Sequence, residues 1–170
     1  MLRSIFKELL LNRTLIIGYG NADRQDDGAA WYVLAGIAHR LGRPVPSGPE
    51  EGFFPENLDI DLWYDLQLAP EMSEDFARYE RICFVDAHTG NIEEEVRFAP
   101  VEGSTPSSAF THHLTAAACL AFTHTIYNKY PEAMLLSIRG YSFGFARELS
   151  PETAELVEQA VEMLWEWAKK

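Results

Sequence analysis

The residues of this chain best suited to chemistry are three acids and a histidine pair: Asp26 and Asp27, Asp86, and His112 with His113. Asp26 and Asp27 follow a glycine turn, Gly18-Tyr19-Gly20, which itself closes a short apolar run, Leu15-Ile16-Ile17. Asp86 ends a second apolar run, Ile82-Cys83-Phe84-Val85. Two carboxylates and one imidazole converging on one rim would suit a borderline divalent ion such as Ni²⁺ or Zn²⁺, with positions left open for substrate. Plainer roles stand beside this one. A single Asp at a strand end is commonly just solvated, a His-His pair ahead of a helix often belongs to a loop or cap, and one of Asp26 and Asp27 is expected to cap the helix that follows them. His39, His88 and His124 are assigned no role. Taken alone, these residues give a site but no reaction.

The elements that must position them follow from hydrophobic periodicity. Ser4 to Leu11 has the pattern of a short amphipathic helix, and Leu15 to Ile17 that of a buried strand. From Asp26 to Leu41, Ala30, Val33, Leu34, Ile37 and Leu41 recur at helical spacing, with a stop at Gly42 and Pro44 and Pro46 beyond. A loop over Arg43 to Asn57 leads to a strand at Ile60 to Tyr64, a short helix opened by Pro70, and the apolar strand Ile82 to Val85. Glu93 to Phe98 reads as an edge strand with Val96 and Phe98 inward. A helix over Thr115 to Tyr127 is expected to bury Ala118, Phe122 and Ile126. Met134 to Ile138 is the last strand, and Pro151 to Ala168 is a closing helix capped by Ser150.

Strands alternating with helices imply an α/β fold, a single three-layer αβα domain over residues 1–170 with a mostly parallel sheet of about five strands. In such sheets ligands bind beyond the carboxyl ends of the strands, where the strand order reverses. If the order begins 2-1-3, then Asp27 after strand 1 and Asp86 at the end of strand 3 share a rim. His112 and His113 can reach it from ahead of the following helix.

Composition narrows the function classes. The 170 residues carry a formal net charge of −12, which leaves no basic footprint for a phosphate backbone, so nucleic acid is not expected as a partner. No apolar run is long enough for membrane insertion and no signal-peptide pattern opens the chain, so a cytoplasmic protein is expected. The two cysteines, Cys83 and Cys119, lie in apolar runs and read as small core residues. A dinucleotide or S-adenosylmethionine site is the chief competing reading, because Gly18-Tyr19-Gly20 begins like a Rossmann fingerprint and Asp65 sits where a ribose-binding acid would go. Against it, Asp23 takes the place of the third glycine, and Asp26 with Asp27 puts negative charge where a pyrophosphate would lie. No G-x-S-x-G elbow supports a serine hydrolase.

In order along the chain, these segments resemble the hydrogenase maturation endopeptidases, which remove a C-terminal tail from the large subunit of [NiFe] hydrogenases. Gly18-Tyr19-Gly20-Asn21 followed by Asp26-Asp27-Gly28 is similar to the family's G-x-G-N and D-[DE]-G signature. Leu66-Gln67-Leu68-Ala69-Pro70-Glu71 resembles its QL-x-PE segment, Phe84-Val85-Asp86-Ala87 its VDA motif, and Thr111-His112-His113-Leu114 its S-x-H-x-L element. Ile138-Arg139-Gly140-Tyr141 and Glu148-Leu149-Ser150-Pro151 are similar to its G-I-x-P and G-L-S-P close. The resemblance implies that Asp27, Asp86 and His112 are both the metal-recognising and the catalytic residues. Asp27 stands where some members carry Glu. It also implies that Ni²⁺ is supplied by the substrate precursor, that no organic cofactor is needed, and that the partner is a [NiFe] hydrogenase large-subunit precursor met by a monomer. A non-catalytic metal-sensing or chaperone module for that precursor is the alternative within the same resemblance.

Overall fold

The computed structural model describes residues 13–102 and 114–170. The helix expected over Ser4 to Leu11 and the His112-His113 pair therefore lie outside the described residues. Five strands form one sheet: β1 (Thr14–Tyr19), β2 (Ile60–Asp65), β3 (Arg81–His88), β4 (Val96–Pro100) and β5 (Glu132–Arg139). Their order is β2-β1-β3-β5-β4, parallel throughout except for the edge strand β4, which runs antiparallel to β5. Among the described residues four α-helices accompany them: α1 (Ala29–Arg40), α2 (Met72–Phe76), α3 (Ala116–Tyr127) and α4 (Pro151–Ala168).

The apolar runs of β1 and β3 are continuous because both of their faces are covered. Ile16, Cys83, Val85, Leu136 and Ile138 point to one side and pack with Val33, Leu34 and Ile37 of α1 and Leu156, Val161 and Leu164 of α4. Leu15, Ile17, Ile82 and Phe84 point to the other side and pack with Met72 and Phe76 of α2 and Cys119 and Leu120 of α3. Two aromatic contacts fix these layers: Phe76 meets Phe84 edge-on at 5.5 Å, and Phe98 of β4 meets Trp167 of α4 at 6.2 Å. Val96 and Phe98 pack against the α1/α4 side of the core, as their alternation requires.

Several boundaries differ from the sequence reading. β3 continues through Asp86 to His88, paired along its whole length with β5. Asp86, expected as the strand's last residue, thus lies two residues before its end. The helix expected from Asp26 begins at Ala29, because residues Gln25–Gly28 form a single 3-10 turn. Neither Asp26 nor Asp27 caps it: the position before α1 is Gly28, and no side chain bonds there. In α3 the buried residues are Ala116, Cys119, Leu120 and Thr123, whereas Phe122 and Ile126 are 39% and 61% exposed. The expected face is rotated for a physical reason. The helix is apolar nearly all round, so periodicity does not select a side, and the small residues Ala116 and Cys119 allow close approach while Thr123 Oγ1 donates to the Ser73 carbonyl at 3.2 Å. α4 begins as expected, with Ser150 Oγ accepting from the Thr153 amide.

Candidate functional site

The parallel pairing of β1 with both β2 and β3 places the reversal of strand order at the carboxyl end of β1. Gly18 pairs with Val85, so the next residues on the two strands, Tyr19 and Asp86, lie side by side at the sheet's upper rim. Following the side-chain alternation, both point toward the α2/α3 layer. Beyond Tyr19 the chain turns at Gly20 with φ of +140°. A Cβ on Gly20 would lie 2.1 Å from the carbonyl oxygen of Asp27, so only glycine lets the returning 3-10 turn come so close. The turn is closed by Asn21, whose amide donates to Asp27 Oδ2 at 2.9 Å. Asp27 is half-buried.

Asp26 has another task. It is fully buried, and its carboxylate accepts from the amides of Tyr141 (2.8 Å), Ser142 (2.8 Å) and Ser150 (2.8 Å) and from the Ser150 hydroxyl (2.7 Å). Its own amide donates to the Ser142 carbonyl, while the amide of Gln25 donates to that of Ala146. The loop between β5 and α4 therefore clasps the turn that carries Asp27. Burial works to raise the Asp26 pKa, but the bonds from Ser150, Tyr141 and Ser142 together outweigh it and hold the carboxyl below its ordinary value. Periodicity carries no signal for this role, because the partners lie more than a hundred residues away.

Asp86 sits in the opposite regime. Burial pushes its pKa up to about 7, and the neighbouring Asp27 charge raises it too, while the Ala87 amide and the Tyr19 hydroxyl pull it back. The Tyr19 hydroxyl is itself pushed upward, first by burial and then by the Asp86 charge. Asp86 opens into a cavity of about 420 Å³ whose lining includes Tyr19, Arg97, Leu114, Ala117 and Ser137.

Asp27 and Asp86 are thus brought to one rim, close enough to feel each other's charge. His112, the third expected member, lies outside the described residues. The described chain resumes at Leu114, a cavity-lining residue two positions after it in sequence. Among the described residues no group of three or more His, Cys, Asp or Glu side chains is arranged to hold a metal ion. His39 lies exposed at the end of α1, and the His124 ring stacks on Tyr130 at 4.5 Å. His88 is buried and accepts from the Gly90 amide. Cys83 and Cys119 are both buried and free, and burial pushes both thiols up, Cys119 to about 12. Asp23, in the third-glycine position of the dinucleotide reading, pairs with Arg147 at 2.7 Å, and Asp65 accepts from the adjacent Leu66 amide. Nothing local in the sequence singles out Tyr19 and Ser137; only their place in alternating strands, beside Asp86 in register, marks them.

A scan of the sequence against family models matches none, and a search of curated proteins finds none similar. Solved structures do match. The hydrogenase maturating endopeptidase HybD from E. coli superposes with a TM-score of 0.68 at 16% identity, covering 92% of each chain. The [NiFe] hydrogenase maturation protease HycI from Thermococcus kodakarensis KOD1 gives 0.63 at 20% identity, over 98% of this chain and 99% of that one. A hydrogenase 2 maturation peptidase from Thaumarchaeota archaeon SCGC_AB-539-E09 gives 0.58 at 20% identity, over 91% and 97%. Over nearly its whole length, this chain has the fold of the hydrogenase maturation proteases that its motifs resemble.

Proposed function

We propose that this protein is an endopeptidase that removes the C-terminal tail of a [NiFe] hydrogenase large-subunit precursor after nickel has been inserted, the nickel arriving as part of the substrate. The observation that carries this reading is the placement of Asp27 and Asp86 at the reversal of strand order, with Asp86 lining a cavity, in the fold of proteins named as hydrogenase maturation endopeptidases and proteases. Two carboxylates that repel each other are a poor arrangement for the empty protein and a good one for a cation brought in by a partner. With His112 as third donor, the set would recognise a loaded precursor and pass over an empty one.

Cleavage itself requires a water oxygen to attack the scissile carbonyl carbon, the C–N bond to break, and a proton to reach the departing amine. With the cation in place, a carboxylate of this rim, or a water on the cation, would supply the base that takes the attacking water's proton and returns it to the nitrogen. Asp27 is anchored for its part by the Asn21 amide.

The decisive test is intact-mass measurement of a nickel-loaded precursor incubated with the protein. Asp86→Asn and His112→Ala should each abolish the mass loss, by at least a hundredfold in rate, while circular dichroism stays that of the parent. Processing at the parental rate by either variant would overturn the site. Stable binding of the precursor without any mass loss in the parent protein would mark a holding module in its place.

A further inference from the structure

The sheet floor beneath Asp86 carries more polar groups than cleavage needs. Asp86 of β3 pairs in register with Ser137 of β5, and Ser137 pairs in register with Arg97 of β4. Tyr19 of β1 continues the line on the other side. Tyr19, Asp86, Ser137 and Arg97 thus form one row across four adjacent strands, and all four line the 420 Å³ cavity. The level directly below it on the same sheet face is apolar, with Ile17, Phe84 and Leu135 packed in the core, so the row marks where that face turns from core to polar rim.

The row has a direction. At one end lie Asp86 and, beyond it, Asp27; at the other lies Arg97, the one cation among the described residues that line the cavity. Arg97 is exposed and forms no ion pair with another described residue, although the protein carries 26 acids against 14 Lys and Arg. The remaining acid of the lining, Glu102, is exposed on the strand-exit segment beyond β4. Strands lie about 4.8 Å apart, so Asp86 and Arg97, separated by one strand, stand roughly 10 Å apart along the backbone. An extended peptide advances about 3.3 Å per residue, so a group held by Arg97 sits two or three residues from a bond positioned at Asp86.

We propose that Arg97 and Ser137 form a carboxylate-binding subsite that receives an acidic group of a peptide whose scissile bond lies at Asp86. A guanidinium offers paired N–H donors matched to a carboxylate, and the acids at the far end repel the same group, so the peptide enters in one orientation. The carboxylate comes either from an Asp or Glu side chain or from a chain terminus. This subsite rests on the endopeptidase reading for its substrate, but its charge selectivity can be measured without any cleavage.

The test is fluorescence polarisation with fluorescein-labelled alanine pentapeptides that carry a central Asp or a central Asn, both C-terminally amidated, and an all-alanine pair with free or amidated C-terminus. The full-length protein should bind the Asp peptide, the free-terminus peptide, or both about tenfold more tightly than the uncharged counterpart, with the preference fading as salt is raised. Arg97→Gln should erase that difference while leaving the uncharged peptide's affinity and the melting temperature unchanged, and Arg97→Lys should restore part of it. The arm that shows the preference identifies the source of the carboxylate. Equal affinities within both pairs, whether all peptides bind or none, overturn the subsite, as does a preference that survives Arg97→Gln. A charge preference in a protein that never cuts a nickel-loaded precursor upholds the subsite and removes the protease; cutting without the preference does the reverse.

Discussion

At the scale of single residues, the surroundings of Asp26 and of Asp86 act on their carboxyls in opposite directions. Asp26 receives four hydrogen bonds and is stabilised as the anion. Asp86 is desolvated beside another acid and is stabilised as the neutral form, with its pKa raised to about 7. The sign for stability follows. A carboxyl titrating near 4 in the unfolded chain and near 7 when folded makes the folded state the better proton binder between those values, so stability falls as pH rises from about 4 to about 7. Asp86→Asn removes that loss. Urea unfolding of the variant and the parent should coincide near pH 4 and diverge by about 1–3 kcal/mol in the variant's favour at pH 8, below the ceiling of about 4 kcal/mol that a full three-unit shift would set.

At the scale of elements, the site depends on contacts between segments far apart in sequence. The 3-10 turn Gln25–Gly28 is held by the loop between β5 and α4, and Asp26 is the hinge pin of that contact. The motifs around Gly140 and Ser150 thereby gain a structural meaning: they carry the donors that fix Asp26, and through the peptide bond they fix Asp27. Asp26→Ala would leave the amides of Tyr141, Ser142 and the buried Ser150 without their acceptor and should destabilise the fold by about 2–4 kcal/mol at pH 7 in urea titration. Because the folded carboxyl's pKa is depressed, its contribution is present above pH 4 and is lost as the pH falls through the folded value. The gap between parent and variant should therefore shrink in acid. The Asp26→Asn variant, which keeps the shape but places an NH₂ where acceptors are needed, should lie between the two.

At the scale of the whole molecule, the layer arrangement decides what reaches the rim. α1 and α4 cover one sheet face and α2 and α3 the other, and among the described residues the cavity lies between the first turn of α3, the edge strand β4 and the rim of β3 and β5. Among the described residues no helix is long and apolar enough to cross a membrane. If Asp27 and Asp86 receive a cation from a partner, free Ni²⁺ or Cd²⁺ should bind there with a proton released near neutrality. Isothermal titration should show affinity rising about tenfold per pH unit from 6 towards 7 and levelling above 7, and Asp86→Asn should remove both the binding and the pH dependence. Metal found by crystallographic soaking at any other place would count against the site.

The amino-acid sequence by itself determines the α/β class. Apolar runs flanked by glycine, alternating with helix-period segments, specify five strands and their intervening helices, because a strand buried on both faces must be apolar throughout. Motif order points to Asp27, Asp86 and His112, and a strand order beginning 2-1-3 suffices to bring the first two to one rim. Only the tertiary structure decides what depends on distance in the chain. The task of Asp26 rests on donors some 115 to 124 residues later. The buried face of α3 rests on which small residues meet α2, and the row from Tyr19 through Asp86 and Ser137 to Arg97 exists only once four strands are in register. Local periodicity encodes which residues avoid water; it does not encode which distant groups then share the space, and the near-neutral pKa of Asp86 arises from that shared, desolvated space alone.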